Sequence, residues 1–310
     1  MTRWARSFRR IARQLGSVEL MATSMESSPT EDDFNLWDGP RDTERFLDFY
    51  GDKGIALAME RYGFLAAAKR RGFHDVSFHT RADDDRHTLL VEGAHEALAE
   101  RARLMEMAVR RDRVVANGEQ WDVLTVDWLL LQNPAASFRP ERPRLPGQTH
   151  PGLGVGERAL EIVYRVAKRL HLDGVLTTGE YFHNAALYRR ELAFFDGAAE
   201  GTQRALEALL FEREGLDLGQ ASWAIEWGFV RDTRADDGIF RWEGLAQVRA
   251  MRPSLAAVLE DPERERLAGR IHAELERNAV LRLDREAFEA RWDAERMHLL
   301  APPRDDRTEA

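Results

Sequence analysis

The run Trp121-Asp-Val-Leu-Thr-Val-Asp-Trp-Leu-Leu-Leu131 limits what this chain can fold into more than any other segment. It starts half-alternating and ends fully apolar, the pattern of a central strand buried on both faces of a sheet. Asn117-Gly118 just before it is a strong two-residue hairpin turn. Arg103 to Val115 therefore reads mainly as the partner strand, although Leu104, Met105 and Met107 would also suit a helix. Upstream, Val76 to Thr80 alternates, a polar turn spans Arg81 to Asp85, and Arg86 to Glu92 is a second strand ending at Gly93. Downstream the period changes. Glu157 to Leu170 places Leu160, Ile162, Val163, Val166 and Leu170 on one side, with Arg165, Lys168 and Arg169 near its end, as an amphipathic helix would. Asp173 to Thr178 is a short buried strand, Glu180 to Arg190 a short helix and Ala193 to Phe195 a final strand. Such alternation implies a parallel pairing inside an otherwise antiparallel sheet.

Helices are expected on either side of this α/β body. Folded structure should begin near Phe34, with Asp42 or Thr43 capping a helix that carries Phe46, Phe49 and Tyr50, and a second helix from Gly54 to Arg71 stopped by Gly72. Beyond Asp196 the helical segments are Gly201 to Glu214, Leu218 to Trp227 and Leu255 to Asn278, with a short strand or ribbon at Gly238 to Val248. Trp223 and Trp227, four apart, read as a helix stripe that packs on the domain. Residues 1–33 are a disordered tail or a short basic amphipathic helix built on Trp4, Phe8, Ile11 and Leu15; 197–300 is mostly helical, and 301–310 a disordered tail.

Composition narrows the partners. The chain has no cysteine, which removes disulfides and thiolate chemistry and makes the cytoplasm the expected compartment. The formal net charge is −9 even though the first twenty residues hold Arg3, Arg6, Arg9, Arg10 and Arg13 against Glu19, so nucleic acid is not an expected partner. No apolar run approaches the roughly 18 residues of a membrane span, so integral membrane association is not expected.

His150-Pro-Gly152-Leu-Gly154-Val-Gly156-Glu stands between the Trp121 strand and the Glu157 helix. Three glycines at alternate positions leave backbone N–H groups unobstructed immediately before a helix N-terminus that favours anions, a geometry able to cradle a pyrophosphate. A structural turn is the plainer reading of a lone glycine triplet. A dinucleotide fold needs a strand directly before the glycines and an acidic residue at the end of the next strand, where Thr177 and Thr178 stand; a Walker loop needs Gly-Lys-Ser/Thr.

Taken in order, Trp121 to Leu131, Pro151-Gly-Leu-Gly154-Val-Gly156, Gly174 to Thr178, His183-Asn184-Ala-Ala-Leu-Tyr188 and Leu192-Ala-Phe-Phe195 resemble the cofactor-binding half of the GNAT superfamily of acyl-CoA transferases. The resemblance implies a mixed, mostly antiparallel α/β (α+β) sheet of GNAT type flanked by helices, an acyl-CoA-binding domain over 34–196, and helical additions at both ends. It implies that Gly152, Leu153, Gly154, Val155 and Gly156 bind the coenzyme A pyrophosphate, that the backbone at Leu130 and Leu131 binds the pantetheine arm, and that Asn184 contributes to the cofactor site. Tyr188 would protonate the departing thiolate, and His183, Glu180 or Asp127 would serve as general base. Acetyl-CoA or another acyl-CoA is then the cosubstrate, no metal is expected, and the activity is N-acyl transfer to a small-molecule or peptide amine by direct attack.

An alternative stays open: a non-catalytic GNAT-like binding or regulatory protein with a helical partner surface, favoured by Pro151, by the long loop before the glycines and by the lack of a clear base. Arg139, Arg142 and Arg144 make that loop basic, suited either to a nucleotide phosphate or to surface carboxylates. His74, His79, His87 and His95 show no helical metal-ligand spacing. A homodimer through an edge strand or the Trp-bearing helices is a further open expectation.

Overall fold

The computed structural model describes residues 5–23, 45–116, 118–277 and 279–303. The polar run after Thr23, the start near Phe34, the caps at Asp42 or Thr43, Asn117 of the hairpin turn and the tail beyond Pro303 lie outside them. In chain order the helices and strands are α1 (Ala5–Gln14), α2 (Ser17–Met21), α3 (Asp52–Arg61), α4 (Phe64–Lys69), β1 (His74–Asp83), β2 (Arg86–Ala94), β3 (Ala102–Ala116), β4 (Glu119–Leu131), α5 (Gly156–Arg169), β5 (Gly174–Thr178), α6 (Phe182–Tyr188), β6 (Ala193–Phe194), α7 (Gly197–Glu207), α8 (Leu218–Glu226), β7 (Val230–Asp232), β8 (Ala246–Ala250), α9 (Pro253–Leu259), α10 (Pro262–Arg277), β9 (Leu281–Leu283) and α11 (Arg285–Glu295).

A mixed, mostly antiparallel sheet of seven strands runs β1-β2-β3-β4-β5-β8-β6, flanked by helices, and β7 pairs with β9 in a separate ribbon. The meander comes from alternation: β2 buries every second residue, and its register against β1 and β3 is antiparallel. Along β3 and β4, the links Arg113–Asp122, Asp112–Thr125 and Arg110–Asp127 step in opposite directions, as a hairpin requires. β8 pairs with both β5 and β6 and so places a late strand between two earlier ones.

The chain divides into two compact units, one of residues up to Asp112 with Leu124–Ala135 and Gly152–His171, the other of Arg113–Val123, Ala136–Pro151 and Leu172 onward. In the first, Val91, Leu104, Val109, Leu124, Phe64 and Phe73 are buried together with one face of α5. That face is Ala159, Val163, Tyr164 and Ala167; of the expected Leu160, Ile162, Val163, Val166 and Leu170, Val163 alone is fully buried. The small residues Ala159 and Ala167 allow closer approach than the other four, which are half-buried.

The N-terminal segment is docked. Phe8 is buried with its ring 4.7 Å from that of Tyr62, so the apolar side of α1 is used inside the unit. Gly51 and Gly54 donate their amides to Leu20 and Ala22 carbonyls, at 2.9 and 3.3 Å. A Cβ at Gly54 would lie 1.9 Å from the Leu20 oxygen, so only glycine admits this contact. Two helical expectations here are corrected. Phe46 to Tyr50 forms a tight turn closed by a Phe46–Tyr50 bridge, with Leu47 and Asp48 at positive φ; Gly54 to Arg71 is broken at Gly63, whose φ of 76° separates α3 from α4.

In the second unit α7, α8, α10, β7, β9 and α11 enclose Phe182, Leu206, Leu209, Leu210, Ile225, Leu275 and Phe288. Trp223 and Trp227 stand 5.0 Å apart, and Trp227 continues to Phe288 and Trp292, an aromatic stripe that packs as expected. The expected helix Gly201 to Glu214 starts four residues earlier, capped by Asp196, and widens into a π turn over Ala208–Arg213. The expected helix Leu255 to Asn278 is two helices, because Pro262 starts α10 afresh, and of the ribbon only Ala246–Ala250 is strand. Glu200, buried on α7, accepts from Arg189 at 2.7 Å, Arg204 at 3.0 Å and Arg264 at 3.4 Å. Burial pushes its carboxyl up, but hydrogen bonds and charge from Arg189 and Arg204 outweigh it and hold the group below the usual carboxylate value.

Gly197 and Gly201 bring α7 against α10: a Cβ on Gly201 would lie 2.5 Å from the Ala268 carbonyl oxygen. Gly201→Ala is therefore expected to destabilise the protein by about 1–3 kcal/mol through overpacking, read as a lower urea midpoint. On an open helix face the same change would stabilise by about 1 kcal/mol, so a raised midpoint would contradict this packing.

Candidate functional site

The expected site residues divide between the units: Asp127, Leu130, Leu131 and Gly152 to Gly156 belong to the first, Glu180, His183, Asn184 and Tyr188 to the second.

In the first unit the glycine loop is shaped by its apolar residues. Leu153 and Val155 are buried, and Gly152, Gly154 and Gly156 between them face outward. A bridge from Gln132 to Gly152 ties the loop to the end of β4, where Leu153 N–H donates to the Leu131 carbonyl at 3.4 Å. Leu153 therefore spends its amide inside the protein. The amides of Gly154, Val155 and Gly156 have no protein partner among the described residues. Gly154 takes a φ of 71°, and Val155 caps α5 without a side-chain hydrogen bond, so the helix dipole emerges beside three free donors. Successive amides turned to one side by a left-handed residue make an anion-binding concavity.

Arg71 was not legible in the sequence as part of this loop. Its Nη2 would lie 2.6 Å from a Cβ at Gly154, and its Nη1 donates to Ala67 at 3.0 Å. It stands far upstream at the end of the α4 region, where Arg70-Arg71-Gly72 reads only as a basic helix ending, and nothing in the spacing points to residue 154.

The end of β4 departs from the expectation of a strand buried on both faces. Val123 to Val126 are buried, but Leu129, Leu130 and Leu131 are half-buried and Trp128 is 46% exposed, leaving an apolar strand end partly uncovered. Asp127 is held by Arg86 and Arg110, each at 3.3 Å. Arg86 meets one of its carboxylate oxygens and Arg110 the other.

In the second unit His183 is buried, its ring stacks on Tyr181 at 5.6 Å, and its Nδ1 has no partner among the described residues. Burial pushes its pKa down to about 4, so at neutral pH the ring is uncharged and a weak base. Tyr188, half-buried near the end of α6, has its hydroxyl pushed up by burial and stays protonated. Asn184 is half-buried in the same helix, its amide donating to Tyr181 at 3.0 Å. Glu180 is exposed and lines a cleft beside Tyr181. In the basic loop, Arg144 is turned inward: its carbonyl accepts from Trp223 Nε1 at 2.7 Å, and its guanidinium lies 5.8 Å from the Trp223 ring centroid. Arg139 and Arg142 remain exposed.

Among the described residues no group of three His, Asp or Glu side chains converges to hold a metal ion, and no helix is long and apolar enough to cross a membrane. His87 instead accepts the Leu47 amide at 3.1 Å, and His95 the Ala97 amide at 3.0 Å. No protein-family model and no curated protein matches the chain.

The His183 environment sets a pH dependence. The unfolded chain takes up a proton near pH 6.5 and the folded ring only near 4, so between these values the unfolded state binds more protons and stability falls with decreasing pH. The loss across that window is expected to be about 3 kcal/mol, and His183→Phe is expected to remove it. Urea midpoints at pH 7 and pH 4.5 that differ as much in the variant as in the native protein would contradict the assignment.

Proposed function

We propose that the protein is an acyl-CoA-dependent N-acyltransferase with a sheet of GNAT type, acetyl-CoA being the expected donor. The observation that carries this reading is the loop from Gly152 to Gly156, with its buried Leu153 and Val155, three partnerless amides and an uncapped α5. Those donors fit a pyrophosphate: they are neutral, fixed by the fold and joined by the cation of Arg71. The half-covered Leu129 to Leu131 offer apolar surface to an extended thioester arm. In this reading the lone pair of an unprotonated amine attacks the thioester carbonyl carbon, the carbon–sulfur bond breaks, and the electron pair leaves on sulfur as a thiolate. Tyr188 is the candidate proton donor to that sulfur, and the nitrogen loses its extra proton to solvent or to a base.

A second reading is favoured by the bases. His183 titrates near 4 and so is poorly suited to accept a proton at neutral pH, and both oxygens of Asp127 are engaged by arginines. A GNAT-like protein that binds acyl-CoA without turnover would carry the same loop.

Saturating acetyl-CoA, at about 100 times its Kd, is expected to stabilise the folded protein by about 2.7 kcal/mol, read as a rise in Tm that NAD does not produce. No rise would remove the cofactor assignment. Gly156 has open space where a Cβ would stand, and an acidic residue suits the first turn of a helix, so Gly156→Asp should fold at least as well as the native chain. Its charge should weaken acetyl-CoA binding by at least about tenfold, the equivalent of 1.4 kcal/mol. Retained binding would place the pyrophosphate elsewhere. If Tyr188→Phe leaves transfer to a panel of amines unchanged, Tyr188 is not the acid; if the native protein binds but transfers to none of them, the second reading holds.

A further inference from the structure

The second unit carries a cleft of about 400 Å³ lined wholly by its own residues. Its walls include the rings of Tyr181, Trp227, Phe240 and Trp242 and the carboxylates of Glu180 and Glu226. These walls are set in advance. Tyr181 lies parallel to the His183 ring and so close to Gly147 that a Cβ there would come within 2.5 Å of it. Trp242 donates its Nε1 to the Gly179 carbonyl at 2.8 Å and meets Phe182 edge-on at 5.7 Å.

The charge in the cleft is one-sided. Neither Glu180 nor Glu226 has an ion-pair partner among the described residues. Arg241, the lining cation, is bound by both oxygens of Asp237. Arg291, 5.6 Å from the Trp227 ring centroid, is paired with Glu295 at 3.2 Å, so neither arginine offsets the two carboxylates. Glu180 and Glu226 act on one place: after burial, their charges are what push the Tyr181 hydroxyl up.

Aromatic rings carry a negative face that attracts cations, and unpaired carboxylates at the rim of a low-dielectric cleft add a longer-range attraction of the same sign. An anion would meet repulsion, and a neutral apolar molecule would leave both charges unanswered. We propose that this cleft binds an organic cation, an ammonium group carried on a small apolar body. Its volume falls at the lower end of the usual ligand range of about 300–1,000 Å³, which suits a single ring or short alkyl chain. The inference goes beyond acyl transfer and needs neither the glycine loop nor any reaction, since the ligand is held by charge and by ring surfaces alone.

Calorimetric titration of the full chain with phenethylammonium chloride, and in parallel with its neutral counterpart 2-phenylethanol, tests this directly. Saturable binding of the ammonium is expected, with the alcohol at least about tenfold weaker, a difference of 1.4 kcal/mol or more. The Glu180→Gln, Glu226→Gln double variant alters two exposed side chains and should keep the native circular dichroism spectrum while losing at least the same factor toward the ammonium and little toward the alcohol. Absence of saturable ammonium binding, equal binding of the alcohol, or an unchanged affinity in the double variant would each overturn the proposal. Failure of acetyl-CoA to bind would leave this result untouched, so the two readings fail separately.

Discussion

Two buried side chains, Leu153 and Val155, hold the loop between β4 and α5, and the rest of the candidate site depends on that anchoring. With leucine and valine turned inward, the alternate glycines must face outward, and their lack of side chains keeps the amides accessible. The same alternation ties Leu153 to the β4 carbonyl at Leu131 and delivers the chain to α5 with no side-chain cap. Replacing the glycines would fill the concavity, and replacing Leu153 or Val155 would release it. The structural turn and the row of unpartnered amides are here one object, which is why the motif alone did not separate a turn from an anion site.

The second unit is stabilised by different means. Close backbone approach at Gly197 and Gly201 brings α10 against α7, and the buried Glu200 is compensated by three arginines from three segments. A buried carboxylate is expensive unless every lone pair is answered, so this network fixes which surfaces of α7 and α10 meet. The Trp223, Trp227, Phe288 and Trp292 stripe then closes the other side of the helical core, and the cleft beside Tyr181 opens at its margin.

Much of the sheet was legible because its signals are local. The alternation of β2 and the helical period of α5 each state their own conformation within a few residues. Failures came where tertiary contacts decide. Phe46, Phe49 and Tyr50 have helical spacing, yet their neighbours Leu47 and Asp48 adopt positive φ and the segment closes as a turn. The helices expected from the sequence ran on through Gly63 and Pro262, and the backbone starts a new helix at each. The insertion of β8 between β5 and β6 is a long-range pairing that no local pattern encodes. At the candidate site the glycines and the helix start could be read, but not the partner of Gly154: Arg71 arrives through the packing of the α4 region. The chemical weakness of His183 was equally hidden, because its depressed pKa comes from burial, a property of the folded state alone.

The most direct test of the account is a titration of isotopically labelled protein with acetyl-CoA, followed through backbone amide resonances. The account predicts that the Gly154, Val155 and Gly156 signals shift together and saturate with one affinity, while the Leu153 amide, already bonded to Leu131, moves far less. Saturable binding that leaves those three resonances in place, or no binding at all, would contradict it.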